Sequence, residues 1–385
     1  MNATKALLDA KHRLTSLALL AVLGLASPCA AQLVHPQPHP PGVPVPEAPP
    51  EPRTQTGSLA PGSLPTFEFR SGFWTNLHHF LYEQALLKLD PNNVVMGGNT
   101  AKARQVFVPV TAQFSSDEQR AWNAALGYYT ANIATKDLMD SGDLIAIDDV
   151  LADLGGCQEL TGRSDPKCAS GLRPEMIAAL SAAAPIYRTR WWKDDDRANR
   201  AWITQVSPLV EKWGVRVANE LSLAYESHWP AGRIAVDLVG YAGPLGAYTT
   251  LQPLHLLISS RDPRNQGNGG IMEFQILFNE ASHGVAVPVL SAIIRRCREQ
   301  GKLIPRDLWN ALVFYTTGRI VQQEVAREQL ADGAERDSDQ ALDDQETLEM
   351  RGWADYLQLL NTYWQPYLDG GISFDVTLDR MISAL

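Results

Sequence analysis

The sequence lacks an excess of positive charge. Its 33 Lys and Arg face 43 Asp and Glu, a net charge of −10. Nucleic acid and anionic membrane surfaces select a cationic footprint, so neither is a main partner. Gly and Pro, at 28 and 25 of 385 residues, are too few for a fibre or a wholly disordered chain. Past residue 31 no run is long and apolar enough to cross a bilayer as a helix, so no transmembrane segment is expected in the mature chain. No internal repeat recurs at solenoid spacing. A Gly-x-Ser-x-Gly elbow is missing, and Gly267-Asn268-Gly269-Gly270 lacks the Lys-Ser/Thr pair of a phosphate loop.

What is present begins with an export signal over residues 1–31. Lys5, Lys11 and Arg13 form a basic start, Leu14 to Ala26 an apolar run of signal-core length, and small residues favour cleavage after Ala31. Cys29 invites a lipoprotein reading, but Pro28 stands where a small residue belongs. The expected location is periplasmic or secreted. Eleven prolines fall between residues 32 and 66, which predicts a disordered linker of extended geometry. Residues 67–385 then form one domain.

Cysteine is scarce, at four. Cys157 and Cys168 bracket a short polar loop, and a disulfide between them suits export. Cys297 is left free. Its neighbours Arg295, Arg296 and Arg298 favour thiolate, although a half-buried structural thiol is the simpler reading.

Hydrophobic spacing predicts helices over 71–89, 116–136, from Pro174, 198–213, 215–227, 271–299, 305–331, 345–364 and 375–384. Strand patterns cover 233–239, 247–250 and 255–259. The fold class is therefore α+β, predominantly α-helical, with a small antiparallel sheet preceding the 271–299 helix.

That helix carries Phe278-Asn279-Glu280-Ala281-Ser282-His283. With histidine at 279 the segment would be His-Glu-x-x-His, in which two imidazoles one turn apart bind zinc and the glutamate activates the metal-bound water. Here the spacing, Glu280 as general base and His283 survive, while Asn279 offers a neutral amide oxygen. A chance Glu-x-x-His on a packed helix is the competing account.

Several segments together resemble a group of uncharacterised exported bacterial proteins with zincin-type motifs. They are Phe73 to Tyr82, Tyr241 to Thr250, Ser259 to Pro263, the motif helix, and Leu308 to Gly318. The resemblance spans roughly residues 67 to 365 and implies a zincin-like fold, zinc as cofactor, and peptide or protein as partner. It places histidines at 279 and 310 and an acidic residue at 319, where this chain has Asn279, Asn310 and Arg319. The implied function is an exported zincin-like protein with a degenerate, catalytically impaired metal site. Two alternatives stand. An active metal-dependent hydrolase or peptidase would complete a non-standard ligand set with His78 or His79. A non-catalytic helical cell-envelope protein would carry the motif by accident.

Other candidates have simpler readings. His78 and His79 are adjacent on a helix and point about 100° apart, so one at most should face a given site. His228 suits a helix end and His255 strand packing. Glu324 and Glu328 read as solvated helix residues, with a carboxylate ligand as the alternative. The acidic run Asp332 to Glu349 fails the EF-hand pattern at Ala341. Trp191-Trp192 reads as a packed helix end, with a carbohydrate platform as the alternative.

Overall fold

The computed structural model describes residues 64–89, 113–138, 141–243, 245–331, 348–349 and 351–385. Residues 1–31, where an export signal is expected, nearly all of the proline-rich stretch and most of the acidic run lie outside the described residues.

In chain order the elements are β1 (Thr66–Arg70), α1 (Phe73–Leu89), α2 (Ser116–Asn132), α3 (Gly142–Asp153), α4 (Pro174–Arg190) and α5 (Trp192–Ala224). Strands β2 (Arg233–Val239), β3 (Ala247–Leu251) and β4 (Leu254–Ser259) follow, then α6 (Ile271–Val285), α7 (Val287–Glu299) and α8 (Leu308–Ala331). Helical turns at Leu357–Leu359, Leu360–Trp364 and Gln365–Leu368 precede α9 (Phe374–Ser383). The fold is α+β and mostly helical, and no single described helix is long and apolar enough to cross a membrane.

The sheet is mixed, which corrects the antiparallel expectation. Its order is β1-β2-β4-β3; β1 and β4 each run parallel to β2, and only β3 is antiparallel to its neighbour β4. Strand direction follows from the connections. The tight β3–β4 turn enforces antiparallel pairing, whereas a long helical connection, with five helices among the described residues, carries the chain from β1 back to β2. Strand β1 itself falls where helix and linker were expected. Its signal is the alternation of Phe67 and Phe69, whose rings pack on Phe278 and Trp202.

Several helix boundaries also move. Helix α3 has no counterpart in the periodicity reading. The segments 198–213 and 215–227 merge into the 33-residue α5, which runs through Pro208 because Val206 and Trp213 bury on either side of it. The 271–299 segment instead splits into α6 and α7, bent by 62°. Pro288 opens α7 at the break, where its missing N–H is no loss. Helix α2 starts on a capping box between Ser115 and Glu118, worth about 1 kcal/mol.

Side-chain alternation along the strands divides the interior in two. Ile234, Val236, Leu238, Ala247, Leu256 and Ile258 join the core built with α5, α6 and α8. Val239, Tyr248 and Leu257 face the other way, into the core built with α1 to α4. Cys157 and Cys168 are bonded, with Cα atoms 5.7 Å apart. Cys297 is free and wholly buried rather than half-buried. Burial pushes its thiol up, in keeping with a structural thiol rather than one activated by its basic neighbours. Arg296 is taken by Asp375 and Asp379.

Candidate functional site

Helix α6 is buried over nearly its whole length. Its backbone approaches the β3–β4 turn closely, because a Cβ on Gly284 would come within 2.8 Å of Leu254. That approach sets Glu280 against Thr249. The Thr249 hydroxyl lies 2.8 Å from Glu280 Oε2 and 3.0 Å from the Glu280 carbonyl oxygen, so its proton is shared between them. The Asn279 amide donates to Glu280 Oε1 at 3.0 Å. Both carboxylate oxygens of the candidate base thus have a protein donor. Asn279 Oδ1, the atom that would replace an imidazole, is buried without a hydrogen-bond partner among the described residues.

His283 sits one turn further along, its ring edge-on to Trp309 at 5.7 Å. Burial lowers its basicity and the Glu280 charge opposes that. Asn310, the next residue after Trp309, is half-buried and shares no hydrogen bond with Asn279, Glu280 or His283 among the described residues. Glu324 and Glu328 tie α8 to α5 instead of entering this site. Glu324 accepts from Arg216 at 2.7 Å, and Glu328 pairs with Lys212 and Trp213.

His78 and His79 do not join His283. Tyr248 and Thr249 are neighbours on β3 and point to opposite faces. Thr249 meets Glu280 on the α6 side, while Tyr248 meets His79 on the α1 side. The sheet therefore stands between the motif helix and these two histidines. Nor does only one of the pair face a given group. His79 Nε2 lies 3.2 Å and His78 Nε2 3.7 Å from the same oxygen, Oδ1 of Asp148 on α3. Tyr248 donates to the other oxygen of Asp148 at 2.6 Å, and the Tyr129 hydroxyl holds His78 Nδ1 at 2.8 Å. His255 lies beside this group, 2.8 Å from Asp237 and 3.4 Å from Asp149. It is an ion-paired residue, where simple strand packing was expected.

Burial and charge divide the three histidines. Burial pushes His78 down to about 4, although Asp148 pulls it up. For His255 burial also lowers the value, but bonds to Asp149 and Asp237 outweigh it and raise it to about 9. Burial would raise Asp148; the charge and hydrogen bond of His79 lead the effects that hold it below the ordinary carboxylate range.

The sequence reading missed Asp148, Asp149, Asp237, Tyr129, Tyr248 and Thr249. One signal was available: Leu144-Ile145-Ala146-Ile147-Asp148-Asp149-Val150-Leu151 sets two acids into an apolar run.

The donor set on α6 does not fit zinc. The His283 imidazole and the Asn279 amide oxygen, even with the Asn310 amide of α8 added, are a poor match for an ion that takes imidazole, thiolate or carboxylate. Among the described residues no group of three or more His, Cys, Asp or Glu side chains is placed to hold a metal ion. Trp191 and Trp192 pack with Phe80, Phe73, Trp122 and Tyr187, which accounts for them without a sugar platform. No protein-family model, curated protein sequence or solved structure matches the chain.

Proposed function

We propose that this chain is an exported zincin-like protein with a degenerate metal site, impaired in catalysis, that holds a peptide or protein partner without cleaving it. The observation that carries the reading is the state of Glu280. A general base must swing freely enough to take a proton from water. Here one oxygen accepts from Thr249 and the other from Asn279, and the carboxylate is held as a clamp between α6 and β3. The donor chemistry at 279, 283 and 310 supports the same reading. The disulfide between Cys157 and Cys168 is compatible with an oxidising compartment.

The same clamp also favours the second reading, a non-catalytic helical envelope protein in which Glu-x-x-His is a packing device. Zinc titration by calorimetry separates the two. The wild type should bind zinc weakly and leave a peptide library intact. Asn279→His should tighten binding, and Asn279→His with Asn310→His should tighten it further. If the double variant binds no better than wild type, descent from a metal site is wrong and the packing reading takes its place. Tight wild-type binding with peptide cleavage would overturn both in favour of an active hydrolase.

A further inference from the structure

The group around Asp148 lies on the other face of the sheet and has no part in the reading above. His78, His79, Tyr129, Asp148 and Tyr248 come from α1, α2, α3 and β3, and each is at most 2 % exposed. Two imidazole nitrogens approach one carboxylate oxygen, His79 Nε2 at 3.2 Å and His78 Nε2 at 3.7 Å, and His78 Nε2 has no hydrogen-bond partner among the described residues. The His78 and His79 ring centres are 5.3 Å apart. One carboxylate can neutralise one imidazolium. A second proton in this buried place would set two like charges side by side without a spare anion.

We propose that this cluster is an acid-sensitive latch, which fastens the α1–α4 layer to the sheet while at most one imidazole is protonated and releases it when the second takes a proton.

The groups facing the cluster leave the second proton uncompensated. From α1 comes the Tyr82 phenol, and from α2 and β3 come Tyr129 and Tyr248, all held neutral with values raised above that of a free phenol. The remaining acids nearby, Asp149 on α3 and Asp237 on β2, are taken by His255 on β4. The direction of the effect follows from linkage. In the folded chain His78 titrates at about 4, below its ordinary 6.5. The folded state therefore binds fewer protons than the unfolded one between those values. Stability falls as pH falls from 6.5 toward 4, and the loss belongs to the layer that holds His78.

Hydrogen exchange read by mass spectrometry on the full chain tests this, with rates corrected for intrinsic pH dependence. Between pH 7 and pH 5, amides of α1 and α3 should lose protection by roughly tenfold or more. Amides of α6 and α8 should keep theirs. His78→Asn, which cannot take the proton, should abolish the difference. Nitrogen NMR of the wild-type histidines supplies a readout that needs no variant: His78 should stay neutral at pH 6. The latch is wrong if His78 titrates near 6.5, if His78→Asn loses protection as the wild type does, or if both cores loosen together. It is also wrong if zinc at pH 7 raises the melting temperature of wild type and not of His78→Asn, because the cluster would then be a metal site.

Discussion

The two faces of the sheet solve the burial of charge in opposite ways. On the α6 face a lone carboxylate, Glu280, has two dedicated donors, Thr249 and Asn279, and one of them is its neighbour in sequence. On the α1 face three histidines and three aspartates are shared among four elements, and two imidazoles compete for one oxygen of Asp148. The first arrangement is locally closed, each oxygen held from within α6 and β3. The second balances as a whole, so one proton or one substitution disturbs every member.

Asp148→Asn breaks the comparison most severely. It removes the anion that His78 and His79 share and should cost about 3–5 kcal/mol, the usual penalty for leaving a buried charge without its partner. Urea unfolding measures it, and a cost near that of a surface change would erase the contrast between the faces.

Next in size is the alkaline limb. His255 titrates at about 9 in the folded chain against an ordinary 6.5. Its raised value means that its contribution is complete below pH 6.5 and disappears as pH rises through 9, a change of about 3 kcal/mol. The wild type should therefore lose stability between pH 7 and 10 more steeply than His255→Gln. Parallel pH profiles of melting temperature would remove His255 from the account.

Reduction of the Cys157–Cys168 bond should cost about 2–3 kcal/mol, since it closes a short loop. It should loosen the core of α1 to α4 ahead of the α6 core. Exchange protection lost evenly from both cores on reduction would contradict that assignment. The smallest effect sharpens the comparison from the other side. Thr249→Val removes one donor from Glu280 and should cost about 1–2 kcal/mol, with the same value at pH 6 and pH 8. A pH-dependent cost would mean that the α6 face is coupled after all.

The same contrast explains what was legible in the sequence. Asn279, Glu280 and His283 lie within one helical turn or so, and periodicity alone places them on one buried helix. The disulfide was legible because its cysteines lie only eleven positions apart. The Asp148 cluster joins residues up to 170 positions apart through a sheet whose strand order and direction periodicity does not encode. His78 lies 51 residues from Tyr129, and His79 lies 169 from Tyr248. Helix α3, which supplies Asp148 and Asp149, was overlooked because acids inside an apolar run read as a flaw in the pattern. Asp148 is the polar centre of that core, with Asp149 at its edge. The mixed sheet and the strand β1 were missed for a related reason: five residues at the end of a proline-rich stretch carry little periodic signal, and pairing partners 167 residues away decide their state.

Among the described residues strand β3 is an edge strand, paired on one side only to β4 through Ala247↔Ile258 and Tyr248↔Leu257. Its registration carries both sites at once. An insertion or deletion of a single residue in the turn before Ala247 that slid β3 by one position would turn Tyr248 toward Glu280 and Thr249 toward His79. A phenol would be forced into the space of a small hydroxyl, and Asp148 would lose its donor in the same step. The length of that turn should therefore tolerate even less change than the residues in it, and two sites with unrelated chemistry would be lost to one reading-frame-preserving indel.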